Sequence, residues 1–409
     1  GFKNFEDSTL LVALEKVTND TYLKVFDTNL INTDKQIKPS NQNQLTSNIT
    51  LDLNHEDFSL TSGFTAYEKL NGLSSDRYEY VLPYYNLSSA NIYDNDYGNF
   101  SFSSDGSNNL RETNNLKSVI NNNFEFETYN FISKKGFKNM FGAYFKNTNT
   151  VAKNDSTYKS SPQVELSNIY NFESSLPLIK VSNKSFNTLS PKLSFRINPG
   201  DMKDYTDTDK HISTDNIFGI NRLGIGDSFE QGKSLTLGVD YTKESLTDVN
   251  KYFEFNLAKV IRDLRQDNIP RNSSICQKSS NIFGSATINL IKGLNVNYDF
   301  SVDNDLNTFE YNSLSTELSL PNFVTEFNYR EDNGKMGDTN FLENKTTLNF
   351  REENFLTFKT RRNRTINLTE YYDLIYEYQN DCLIAGFKYR KTYYQDRDVK
   401  PNEDLILTV

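Results

Sequence analysis

Polar and apolar residues alternate along this chain in short runs. The clearest is "GLNVNYDFSV" (293–302). Leu294, Val296, Tyr298, Phe300 and Val302 fall on one face of an extended chain, and Asn295, Asn297, Asp299 and Ser301 on the other. Side chains of a strand point to opposite faces with a period of two, so one face is apolar and the other wet. The same pattern recurs at 21–27, 44–53, 58–70, 122–132, 141–149, 164–172, 234–242, 252–260 and 283–291. It continues at 315–329, 344–350, 354–360, 371–378 and 383–394. Between these runs lie "SSDGSNN" (103–109), "REDNGKMGD" (330–338) and "QND" (379–381), whose residues favour turns. Strand-plus-turn spacing predicts roughly 20 antiparallel strands of about 10 residues.

One segment competes. In "NLAKVIRDLRQD" (256–267), Val260, Ile261 and Leu264 match a helical stripe, yet Phe253, Phe255 and Leu257 upstream alternate as a strand, which is the reading preferred. Two long connections, about 200–232 and 262–280, carry Ile217, Phe218, Ile220, Leu223 and Ile225. Such loops are expected to pack, folded inward. Strands near 10 residues exceed the usual sandwich length of about 5–6 and match a tilted membrane crossing. A sheet that spans lipid must satisfy its backbone internally, so it must close. The fold class is therefore all-β: a large antiparallel transmembrane barrel.

Composition agrees. Hydrophobic residues make up 36% of the 409, below the ~45–50% usual for globular chains. Aromatics nevertheless reach 13%, which disordered chains lack. Half-polar strands explain both. No run approaches a transmembrane helix, and the net charge of −10 argues against a nucleic-acid partner. Cys276 and Cys382 are too few for a disulfide scaffold or a zinc site, and His55 and His211 lie far apart. No cofactor or metal is implied, and no nucleophile–base grouping points to an enzyme. The basic run Arg361, Arg362, Arg364 reads as a turn. The alternation starts at once and stops in mid-pattern at Leu405, Leu407 and Val409, so residues 1–409 are expected to form one barrel domain cut from a longer chain.

Several stretches resemble the LptD family of lipopolysaccharide-assembly outer-membrane proteins. The end of the chain, 372–409, carries a Tyr-rich strand, the turn from Tyr378 to Cys382, the strand "GFKYRKTYY" and the loop "DRDVKP". In "DNIFGINRLGIGDSFEQGKSLTLGVDY" (215–241), Asn221, Arg222, Gly226 and Asp227 match a family motif, with Ser228 where the family usually has Arg. "IPRNSSICQKSSNIFG" (269–284) is similar to a third, with Ser274 and Asn281 replacing Gly and Asp. "DTYLKVFD" (20–27) also resembles the family, while the likeness is weak between 70 and 190.

The resemblance implies a translocon. It would receive lipopolysaccharide from an LptA-like periplasmic bridge through a preceding jelly roll. It would hold an LptE-like lipoprotein in the lumen and release its cargo to the outer leaflet of the outer membrane through a lateral opening between first and last strands. That jelly roll, the first barrel strands and the last few residues are expected to lie outside 1–409, so 403–409 alone represents the seam. Cys382 is implied to pair with a cysteine outside this stretch; a Cys382–Cys276 bridge is the rival. Lys388 and Arg390 share parity opposite Ala385, Phe387 and Tyr389, which turns them to the lumen. There they would meet lipopolysaccharide phosphates or the lipoprotein, or, more plainly, acidic neighbours on the wall. The alternatives are a porin or substrate channel, a soluble β-rich adhesin and an outer-membrane hydrolase.

Overall fold

The computed structural model describes residues 5, 7–21, 23, 43–71, 76–112, 114–155, 158–248, 250–351, 353–380, 382–393, 401 and 403–408. The strands are β1 (Asp7–Ala13), β2 (Gln44–Asn54), β3 (Phe58–Lys69), β4 (Tyr78–Asn95), β5 (Gly98–Arg111), β6 (Asn115–Thr128), β7 (Phe131–Ile132) and β8 (Lys138–Lys153). Next come β9 (Gln163–Ser175), β10 (Leu178–Val181), β11 (Ser185–Asn198), β12 (Gly232–Ser245), β13 (Tyr252–Arg262), β14 (Ser279–Ile291) and β15 (Leu294–Val302). Last are β16 (Phe309–Leu320), β17 (Phe323–Asp332), β18 (Thr339–Arg351), β19 (Asn354–Asn363), β20 (Leu368–Gln379), β21 (Ile384–Thr392) and β22 (Glu403–Thr408).

All belong to one sheet, and every pairing is antiparallel. β7 continues the line of β6 against β8, and β10 continues β9 against β11. The 22 strands thus form 20 staves, each bonded to its neighbours in sequence. β1 pairs with β2 and β22 with β21; among the described residues no pairing joins β1 to β22. The loop 199–231 bonds to Lys146 on β8 and to Ser285 on β14, and its His211 ring lies 6.3 Å from the ring of Tyr311 on β16. In a flat sheet β8 and β16 would stand about 34 Å apart at the ordinary strand spacing. A single packed loop reaches both because the sheet curls around it.

The alternation sorts the two faces. Phe387 is 49% exposed on the outside while its neighbour Lys388 is 5% exposed inside. Ser285 and Asp299 are direct partners, and Thr214 of the loop bonds Ser285 at 2.8 Å. The Asn295–Ser301 face of β15 is therefore the lumen face, and Leu294–Val302 is the outer one. Outside, the Phe300 ring covers its cross-strand partner Gly284, where a Cβ would come within 2.2 Å of the ring. Glycine is needed there for space.

The ends differ. Turns such as 292–293 and 321–322 close one end, while 199–231 and 263–278 crowd the other. Several expectations need correction. The run 315–329 is two strands, β16 and β17, because Pro321 and Asn322 make a hairpin turn. "SSDGSNN" is not a turn but lies inside β5, paired without a break to β6 and, apart from a bulge at Asn108, to β4, and Gly106 sits under the Tyr85 ring. Arg361 and Arg362 belong to β19, not to a turn, and Arg361 pairs with Glu343 at 3.2 Å and Glu370 at 2.9 Å. Of 21–27, Thr21 is in a turn and Leu23 has helical backbone, packed on Leu45 and Leu70; the rest lies outside the described residues. So do 394–400, most of the "DRDVKP" loop. The competing helix at 256–267 is absent: β13 runs to Arg262.

Candidate functional site: a lumen filled by two loops

Between β11 and β12, and between β13 and β14, the chain turns into the barrel. Met202, Ile212, Ile217, Leu223 and Ile225 of the first loop pack with Ile269, Ile275 and Cys276 of the second. Beneath them the inward face of the wall supplies Ala258, Val260 and Phe283. An apolar wall inside a polar lumen is unfavourable unless covered, and each large side chain so buried contributes about 1.5–3 kcal/mol. The loops also bond each other, Tyr205 N–H to the Asn268 carbonyl at 3.0 Å and Arg271 N–H to the Thr206 carbonyl at 3.2 Å.

One carboxylate fastens this plug to the wall. Glu230 is 7% exposed and meets three guanidiniums. Arg222 of the loop donates through Nε at 2.6 Å and Nη2 at 2.5 Å. Arg196 on β11 approaches to 3.5 Å, and Arg262 on β13 makes a third ion pair. Each also donates to a backbone carbonyl: Arg196 to Gly219 O at 3.1 Å, Arg222 to Ile217 O at 3.1 Å, Arg262 to Gln231 O at 2.8 Å. Arg222 also bonds Thr236 at 3.0 Å and Ser234 at 3.1 Å on β12. Buried charges persist only when paired; each guanidinium here has its carboxylate and a backbone carbonyl, while Arg196 Nε has no hydrogen-bond partner.

The family-motif residues all lie here. The Asn221 side chain closes a tight turn, bonding both N–H and carbonyl of Ile225, while Gly224 takes φ +59°. Asp227 accepts from the Tyr158 and Tyr205 hydroxyls and from Lys203 at 3.2 Å. Burial pushes its carboxyl above the ordinary Asp range. Gly226 offers its carbonyl to Lys146, and nothing stands within 4 Å of where its Cβ would be, so packing does not require glycine there. Ser274 has φ +57°, a region glycine prefers, and its hydroxyl accepts the Asn281 N–H at 3.1 Å. The motif residues are thus the fastenings of the plug. Sequence reading missed Glu230, Arg196 and Arg262. The inward parity of Arg196 and Arg262 was the available signal.

Round the rest of the lumen the wall is charged. Glu317, Glu326, Lys345, Lys359, Asp373 and Arg390 are successive direct partners across β16 to β21, on one face. Lys345 meets Glu326 at 2.7 Å. Asp373, 1% exposed, receives Arg390 through two bonds of 2.7 Å and Lys388 at 3.6 Å. Lys388 and Arg390 are therefore lumen-facing, and the plainer reading, an acidic wall partner, accounts for the contacts seen. Among the described residues no group of three His, Cys, Asp or Glu is placed to hold a metal ion.

The cysteines are both free, Cys276 buried in the plug and Cys382 exposed in the turn between β20 and β21. Those places are at opposite ends of the staves, about 30 Å of strand apart. A Cys382–Cys276 bridge does not fit this fold.

Long lipid-length strands, an apolar outside, a charged inside and a continuous antiparallel ladder that curls around its own loops define a large outer-membrane β-barrel. Among the described residues no helix is long and apolar enough to cross a membrane. The chain belongs to the LptD family: the family model described as LPS transport system D matches residues 4–351. Comparison with curated proteins gave no match. Among solved structures, the chain is similar to the siderophore receptor PirA from Acinetobacter baumannii, with TM-score 0.41 and 9% identity over 87% of this chain and 66% of that one. It is also similar to a mutant of the ferric enterobactin receptor PfeA from Pseudomonas aeruginosa in complex with enterobactin, with TM-score 0.41 and 8% identity over 87% and 67%. The copper transporter OprC is a third, with TM-score 0.36 and 7% identity over 85% and 65%. The chain spans about two thirds of the length of these structures. In outer-membrane β-barrels as a class, short turns face the periplasm and long loops the exterior. The plug therefore descends from outside, and Cys382 sits at the periplasmic rim.

Proposed function

We propose that this barrel is the lipopolysaccharide translocon of its outer membrane. It takes the glycolipid from an LptA-like periplasmic bridge and leads the sugars and phosphates along the charged wall. The acyl chains leave sideways beside β22, whose Leu405 and Leu407 are each 74% exposed. The family match carries this reading, and the ladder from Glu317 to Arg390 supports it, because a hydrated wall bearing both signs suits a phosphorylated saccharide. An LptE-like lipoprotein would share the lumen. No catalytic step is needed, since no bond of the cargo is broken.

The test is photo-crosslinking in cells that carry the full-length protein. A photoreactive residue replacing Lys359 should capture lipopolysaccharide, and one replacing Phe358, on the outward face, should capture membrane phospholipid. Phospholipid at both positions, with export continuing, would refute the lumen route.

Cys382 fits a disulfide to the periplasmic domain that precedes such barrels, because it is exposed at the periplasmic rim in an oxidising compartment. Peptide mapping of the full-length protein without reductant should find Cys382 joined to a cysteine outside 1–409. A 276–382 linked peptide would overturn both the pairing and the fold's placement of the two thiols.

A further inference from the structure

We infer a phospholipid-binding site on the outer wall at the periplasmic rim, where β10, β11 and β12 end. Three residues there are direct cross-strand partners on the outward face: Lys180, Asn187 and Lys243. One step further into the membrane, Leu178, Leu189 and Tyr241 form a second direct row on the same face. Together the rows line a cavity of about 490 Å³. The face is assigned by register: Tyr241 pairs with Phe255, and Phe255 with Ala286, which is in line with Tyr298 on the outer wall.

The chemistry of the two rows is that of one kind of ligand. Lys180 and Lys243 stand on the strands either side of β11, about 10 Å apart at Cα, so their flexible ammonium groups can converge on one phosphate. Asn187 is held between them: its amide nitrogen donates to the Lys180 carbonyl at 3.2 Å, and its oxygen accepts from the Tyr241 hydroxyl at 3.2 Å. Tyr241 thus has its hydroxyl at the polar row and its ring at the apolar one, the usual placement of an aromatic at a membrane interface. Leu178 and Leu189 are 49% and 40% exposed, which gives an acyl chain its contact. A pair of cations at the rim, with apolar surface directly toward the bilayer, matches an anionic glycerophospholipid of the periplasmic leaflet. A soluble phosphate would use only the first row. This site lies outside the lumen and does not depend on the cargo proposed above.

The test uses the full-length protein purified in detergent and mixed with micelles of phosphatidylglycerol and phosphatidylcholine, with bound lipids weighed by native mass spectrometry. Wild type should retain phosphatidylglycerol over phosphatidylcholine, and K180Q/K243Q should lower that preference roughly tenfold. K251Q/K292Q, which removes two other lysines at the same rim, should leave it unchanged, and heat-modifiable migration checks that every variant is folded. Inorganic phosphate in excess should not displace the lipid. An unchanged preference in K180Q/K243Q, an equal loss in K251Q/K292Q, or displacement by inorganic phosphate would each overturn the assignment.

Discussion

Replacing Glu230 by glutamine should release both loops from the lumen while leaving the barrel standing. The carboxylate is the single counter-charge shared by Arg196, Arg222 and Arg262, all nearly inaccessible to solvent. Glutamine keeps the shape and removes the charge. Three guanidiniums then face one another in a poorly hydrated space, and breaking a buried pair in this way costs about 3–5 kcal/mol. That is about what one or two buried apolar side chains of the plug contribute. Limited proteolysis should therefore cut E230Q within 199–231 and 263–278, where wild type resists, with heat-modifiable migration preserved. A second change, Arg222→Met, removes one surplus charge and should recover part of the protection, since the two sites are coupled. Wild-type resistance in E230Q would show that the apolar cluster alone holds the loops.

The second large effect concerns the face of β15. Val296→Arg puts a charge on the lipid side; Asn297→Arg, one residue on, puts it in the lumen. The lipid-side charge costs about 2–4 kcal/mol at the bilayer midplane and less toward the interface. The lumen side has water and the charges of the wall. Val296→Arg should therefore depress the folded fraction recovered in the outer membrane, scored as heat-modifiable protein, and Asn297→Arg should not. Equal recovery of the two would reverse the assignment of faces on which the lumen description rests.

Much of the barrel was legible because lipid enforces a strict rule. Where one side of a strand meets hydrocarbon and the other water, parity is written into the residues, as at Leu294–Val302 or Ala385–Tyr389 against Lys388 and Arg390. The signal failed where that contrast weakens. β5 reads as turn-forming because Ser103, Ser104, Asp105, Gly106, Ser107, Asn108 and Asn109 are polar on both faces, yet β6 pairs with it along its whole length and β4 along most of it. A strand held by its neighbours does not need a propensity of its own. The plug was half legible. Its apolar residues announced that the loops pack, and family likeness singled out Asn221, Arg222 and Asp227. The reason for Arg222 was hidden, because Arg196, Glu230 and Arg262 come from three separate segments. Only the curvature of the sheet brings them together.

The position of the plug also restricts the order of events in assembly. Every stave bonds only to its neighbours in sequence, so hairpins can join one after another without any distant segment arriving first. The anchors of the two loops, in contrast, lie on the concave side, on β8, β11, β13 and β14. Once a ring has shut, two folded loops carrying buried arginines can no longer be brought in across a bilayer. They must be seated while the sheet is still an open trough. The row of strands then wraps a filled interior.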